Sequence, residues 1–178
     1  MATHGVFLAS RMQSQNVDAL NRNAVSEVEV DNGMAVILGN LSTESDKSQV
    51  FVATLPTAAT DKGIWIVDEP HEPMAKDELG GEYSTGIKDP RKFYVQAGKV
   101  FAVRKPQTGD IFKISADMVS GEVDSFINLD TTGKYTFAAT QGTGFAGKIL
   151  ENSYFSIGIV SPDLSQRVDA YLVEVVEN

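Results

Sequence analysis

GTGFAGKILENSYFSIGIV, residues 142–160, is the stretch on which the fold turns. Gly142, Gly144 and Gly147 have the spacing of a dinucleotide-binding fingerprint, and Gly142, Gly147 and Lys148 reproduce most of a phosphate-binding P-loop. Both motifs need the glycine loop to open a helix, whose N-terminal amides hold the phosphate. A P-loop also needs a Ser or Thr after its lysine, and Ile149 stands there. The continuation, KILENSYFSIGIV, reads as strand, with Phe155, Ile157 and Ile159 on one face. The acidic residue about 20 positions on, Asp163, falls after Ser161-Pro162 in a turn rather than at the end of a second parallel strand. The glycines are therefore expected to serve a hairpin or bulge that joins a strand at 135–139 to one from Ile149 onward, supplying positive φ.

On either side of this stretch the two-residue period recurs. Tyr171, Val173 and Val175 share a face, and so do Val28 and Val30, with Glu27 and Glu29 opposite. Asp31-Asn32-Gly33 then offers hairpin-turn chemistry, and Met34 to Leu38 is expected to pair back on the strand before it. Further strands are expected at 50–55, 64–68, 93–96, 99–105, 110–115, 125–129, 149–150, 154–160 and 168–176. Turn signals every 8 to 12 residues or so, and no helical window between strands, give a mainly β fold: an antiparallel sandwich or barrel. Phe93, Phe101, Phe112, Phe137 and Phe155 are assigned to its core.

Two segments depart from this pattern. Residues 1–24 carry a charge of +1, are rich in Gln, Asn and Ser, and hold no sustained period. They are read as an extended N-terminal arm on a single β domain of residues 25–178, with an apolar start that needs something to lie against. Residues 68–91, DEPHEPMAKDELGGEYSTGIKDPR, contain three prolines and Gly80-Gly81, and form a long irregular loop inserted in the domain.

The chemistry carried by single residues is sparse. The net charge of -9 opposes nucleic acid and anionic membrane surfaces as partners. The chain has no cysteine and two histidines, so thiolate, disulfide and histidine-rich metal chemistry are not expected. No stretch has the apolar length of a membrane span or of a signal-peptide core. His71 stands among Asp68, Glu69 and Glu72, but the flanking prolines splay the side chains, and a solvated acidic loop is expected instead of a metal site. No serine lies in a nucleophile elbow, and carboxylate pairs such as Asp61 with Asp68, or Asp110 with Asp117, are what any acidic chain contains. No catalytic residue, cofactor or metal is assigned.

Within AGKVFAVRKPQTGDIFKISADMVSG, residues 97–121, a turn at Gly98 leads into a strand through Val103. Pro106 and Gly109-Asp110 then lead into Phe112 and Ile114. This segment resembles the small decoration or cement proteins of tailed-bacteriophage heads, and covers about a seventh of the chain. The resemblance implies a non-enzymatic virion structural protein that docks on the capsid surface and stabilises contacts between capsomers. Its partners would be the major capsid protein and neighbouring copies of itself, as a homo-oligomer on the capsid. Val6, Phe7, Leu8, Arg11 and Met12 of the arm, with His71 and Tyr83 of the loop, would make the contacts. The alternative from another class is a β module that binds carbohydrate or another small ligand, with Trp65 as its reporter. A nucleotide-using enzyme working through residues 142–148 is the third.

Overall fold

The structure, a computed structural model, describes residues 4–47, 49–69, 74–76, 82–84, 90–161 and 164–178, and only the backbone of 74–76, 82–84, 157–161 and 164–166. Fourteen strands run through the described residues. They are β1 (Phe7–Arg11), β2 (Asn21–Ser26), β3 (Ala35–Leu41), β4 (Phe51–Thr54), β5 (Trp65–Val67), β6 (Met74–Lys76), β7 (Glu82–Ser84), β8 (Val100–Arg104), β9 (Ile111–Ser115), β10 (Val119–Ser120), β11 (Phe126–Leu129), β12 (Tyr135–Ala138), β13 (Ala146–Ser161) and β14 (Leu164–Glu177). The mainly β expectation holds. Strands β2-β4-β3-β5-β8 close into a barrel, and β1-β9-β14-β13-β11-β12-β10 form a seven-stranded sheet. One apolar core serves both, running from Val36, Val67 and Val103 of the barrel to Phe112, Ile114 and Ile127 of the sheet.

The N-terminal segment is extended but not free of the body. β1 pairs antiparallel with β9 at the sheet edge, Phe7 opposite Ile114, and the Phe7 ring lies 5.5 Å from that of Phe112. Met12 is 2% exposed. The chain then makes two single 3-10 turns, Gln13–Gln15 and Asp18–Leu20, and enters the barrel at Asn21, so the boundary expected at residue 24 falls inside β2. The physical reason is burial: Phe7 and Met12 find their apolar surface within their own chain.

The hairpin expected over 28–38 does not form. Asp31 to Met34 is a turn, with the Met34 N–H donating to Asp31 O (3.1 Å) and Gly33 at φ 87°, but its donors are captured elsewhere. Gly33 N–H bonds Val67 O, Ala35 N–H bonds Gly133 O, and Val30 bridges Val95. β4 pairs parallel with β2 and antiparallel with β3, and so lies between the two strands that the turn connects. Of the expected strand at 93–96, Val95 bridges Val30. In the 68–91 loop, β6 and β7 pair with Met74 opposite Ser84; most of the remainder lies outside the described residues.

Phe101 and Phe112 are buried as expected, and Phe93 and Phe137 pack against the core from its margin. Phe155 is only half-buried. A register shift between Ser156 and Ile159 interrupts the two-residue period beyond it, and the side chains of Ile157 and Ile159 lie outside the description.

Candidate functional site

The glycine-rich stretch is structural, though not in the way expected. Lys148 lies in β13, paired with Phe126 on one side and Glu174 on the other, where a phosphate site needs a helix. Because β12 and β13 both flank β11, residues 139–145 do not form a hairpin; they carry the chain back across β11. Among the described glycines, positive φ occurs at Gly33, Gly63, Gly98, Gly109, Gly121 and Gly133, and not at the three of this stretch. Their role is close approach. A Cβ on Gly144 would stand 2.4 Å from Ala59 O, and one on Gly147 2.3 Å from a Val173 methyl. Asn128 holds the crossing, accepting from Gly142 N–H (2.9 Å) and donating to Thr140 O (3.2 Å).

Of the residues expected to meet a partner, the structure spends several internally. Val6 donates its N–H to Ser115 Oγ (3.0 Å) and accepts from Ser115 N–H (2.9 Å). Phe7 and Met12 are buried, their side chains packed into the core of their own chain. Leu8 is 50% exposed and Arg11 is exposed, both on the outermost strand of the sheet. His71 and the Tyr83 side chain lie outside the described residues. His4 is engaged as well: its Nδ1 sits 2.7 Å from Asp31 Oδ1, and its ring stacks on Tyr94 at 4.6 Å.

Three carboxylates of the candidate acid–base pairs are engaged too. Asp110, 2% exposed, accepts from Gln13 N–H and Gln107 N–H (both 2.9 Å), tying the N-terminal segment to the start of β9. Asp68 pairs with Arg104. Asp61 Oδ2 accepts from Ala58 N–H (3.0 Å) and from Thr57 N–H (2.8 Å) and hydroxyl (3.2 Å), and these bonds hold its carboxyl below its ordinary value. Among the described residues no three His, Asp or Glu side chains converge as metal ligands.

Among the described residues, the β13–β14 pairing outruns the strands on either side of it and forms a ribbon. β11 pairs β13 only over Ala146–Lys148, and β9 pairs β14 only over Ala170–Glu174, whereas β13 and β14 pair with each other out to Ser161 and Leu164. Beyond Ser153 and Ala170, then, the two strands run on with no other strand beside them among the described residues. The eight residues Tyr154–Ser161, at about 3.3 Å each, make a ribbon roughly 25 Å long. Leu150 and Tyr154 are 43% and 46% exposed, and Arg167 covers the Tyr154 ring at 4.2 Å. Lys113 of β9 is a prop at its root: its ammonium bonds Tyr154 O (3.3 Å) and lies 5.6 Å from the Phe155 ring.

No family model, curated protein or solved structure matches this chain. Sequence reasoning passed over the ribbon because it placed two short strands, 149–150 and 154–160, where one strand of 16 residues runs. It also passed over Arg22 and Lys105, which the barrel brings to Trp65. Their spacing of about 40 residues from that tryptophan gives no local signal.

Proposed function

We propose that the protein is a non-enzymatic virion structural protein that docks on the capsid surface of a tailed bacteriophage, touching the major capsid protein and neighbouring copies of itself. The observation that carries this reading is the β13–β14 ribbon. A lone two-stranded hairpin is marginal in water, and its two open edges offer unpaired N–H and C=O groups along their length. Such a ribbon gains most by laying an edge or a face on another chain, by strand addition. The sequence puts Ile157, Ile159, Val160 and Leu164 toward its tip, an apolar content suited to burial against a partner. The resemblance of residues 97–121 to capsid decoration proteins is what points to a capsid as that partner, and repetition on a symmetric lattice would turn a modest contact into stable decoration.

The ribbon is the leading contact surface of this reading, with exposed Leu8 and Arg11 at the sheet edge as a second candidate. The test removes Tyr154–Asp169 and joins Ser153 to Ala170, which face each other in the register, through an Asn-Gly turn. The full chain is expected to cosediment with phage heads. The truncated chain is expected to keep its melting temperature within a few degrees and to stay in the supernatant. Equal cosedimentation of the two chains, or none by the full chain, rejects the reading.

A further inference from the structure

Strand parity sets four side chains of related chemistry at one end of the barrel. Arg22 of β2 pairs with Val103 of β8, Val103 with Val67 of β5, and Ala24 of β2 with Phe51 of β4. Paired residues face the same side, and so do residues two apart on a strand. Arg22, Phe51, Trp65 and Lys105 thus share a face with Ala24, Ala53, Val67 and Val103, all 2% exposed or less. That face is the barrel interior, and the four half-buried residues stand at its end, beyond the buried layer.

They converge. The Arg22 guanidinium lies 6.0 Å from the Phe51 ring centre and 5.9 Å from that of Trp65, and the Lys105 ammonium lies 5.9 Å from the same indole. Two cations drawn to one ring repel each other, and a chain with 24 acidic residues has ample means to neutralise them. Lys62, Arg104 and Lys134 do have carboxylate partners, in Glu177, Asp68 and Asp31. Among the described residues neither Arg22 nor Lys105 is within ion-pair distance of one. Of the five guanidinium donors of Arg22, one is engaged by a described residue, Nη1 donating to Asn21 O (2.8 Å).

We propose that this end of the barrel binds a small organic carboxylate with a flat apolar body. The carboxylate takes the free face of the Arg22 fork and neutralises Lys105, and the flat body packs against Trp65 and Phe51. An arginine fork matches a carboxylate in shape, and an indole wall favours a planar partner. The ribbon has no part in this site, so head binding and anion binding succeed or fail separately.

Trp65, the single tryptophan of the chain, is its own reporter. Its fluorescence is titrated with phenylacetate, with the uncharged 2-phenylethanol and with inorganic phosphate. Phenylacetate is expected to give a saturable change, weakened about tenfold or more in Arg22→Gln by loss of a charge-assisted contact. The two controls are expected to bind at least tenfold more weakly. Lys105→Gln, which lies just past the end of β8, provides a second variant should Arg22→Gln fail to fold. The proposal is overturned by an unsaturable response to phenylacetate, by equal binding of 2-phenylethanol or phosphate, or by unchanged affinity in whichever of the two variants retains the wild-type melting temperature.

Discussion

At Gly147 the side chain that is missing matters more than any motif its neighbours resemble. The residue lies in β13 between Ile127 of β11 and Val175 of β14, where a Cβ would meet a Val173 methyl at 2.3 Å and an Ile127 carbon at 3.2 Å. Overpacking of this kind costs about 1–3 kcal/mol, so Gly147→Ala is expected to lower the melting temperature by several degrees in a chain of this size. Val173→Ala removes the nearer obstacle, and the double variant should be less destabilised than the two single losses added together. Strict additivity in thermal melts would show that the close approach is not the reason for the glycine. Asp61 supports a second prediction, in pH. Its bonds to Ala58 and Thr57 hold the folded-state carboxyl below its ordinary 3.8, so the ionised form favours folding at neutral pH. That contribution is complete above the unfolded value and is lost as the pH falls through the lower, folded one. Melts of the wild type and Asp61→Asn between neutrality and strong acid are expected to differ at pH 6 and to converge at the acid end. Parallel curves would refute the role of the charge.

Among the elements, legibility followed periodicity. β4, β5, β8, β9, β11, β12 and β14 stand within a few residues of their expected places because each has β-branched or aromatic residues at two-residue spacing, bounded by turn residues. β1 and β2 were hidden inside a polar stretch: FLASR and NRNAVS have too few apolar residues to show a period, and they become strands because β9 and β8 offer them open edges. The Asp31-Asn32-Gly33 turn was legible and its pairing was not, since a turn signal says where the chain reverses but not what will slide between its arms. The same distinction explains the glycine stretch. Sequence rules out the phosphate-binding helix from Ile149 and the strand after it. Only the fold tells positive-φ glycines from close-approach glycines, because that depends on Ala59, Asn128 and Val173, all remote in sequence. The barrel-end cluster is the limiting case, in which three strands and the residue just past a fourth each contribute a side chain that carries no signal by itself.

Over the whole molecule, the sheet and the barrel have little independence. Tyr135 of β12, fully buried, donates its hydroxyl to Gly33 O (3.0 Å) in the turn entering β3, and burial keeps that hydroxyl protonated far above its ordinary range. Ala35 N–H bonds Gly133 O (2.7 Å), Phe145 N–H bonds Asp61 O (3.1 Å), and the Asn178 side chain joins Ile64 to Pro106. With a core continuous across both bodies, opening one exposes apolar surface of the other, and unfolding should be a single cooperative event. Trp65 reports on the barrel, and near-ultraviolet circular dichroism of tyrosines such as Tyr135 and Tyr171 reports on the sheet. Their urea midpoints are expected to coincide. Tyr135→Phe leaves Gly33 O without its donor and should cost about 1–1.5 kcal/mol, shifting both midpoints by the same amount. Two separated transitions, or a shift confined to the sheet signal, would mean that the barrel folds on its own and that the contacts between the two are a docking rather than a shared core.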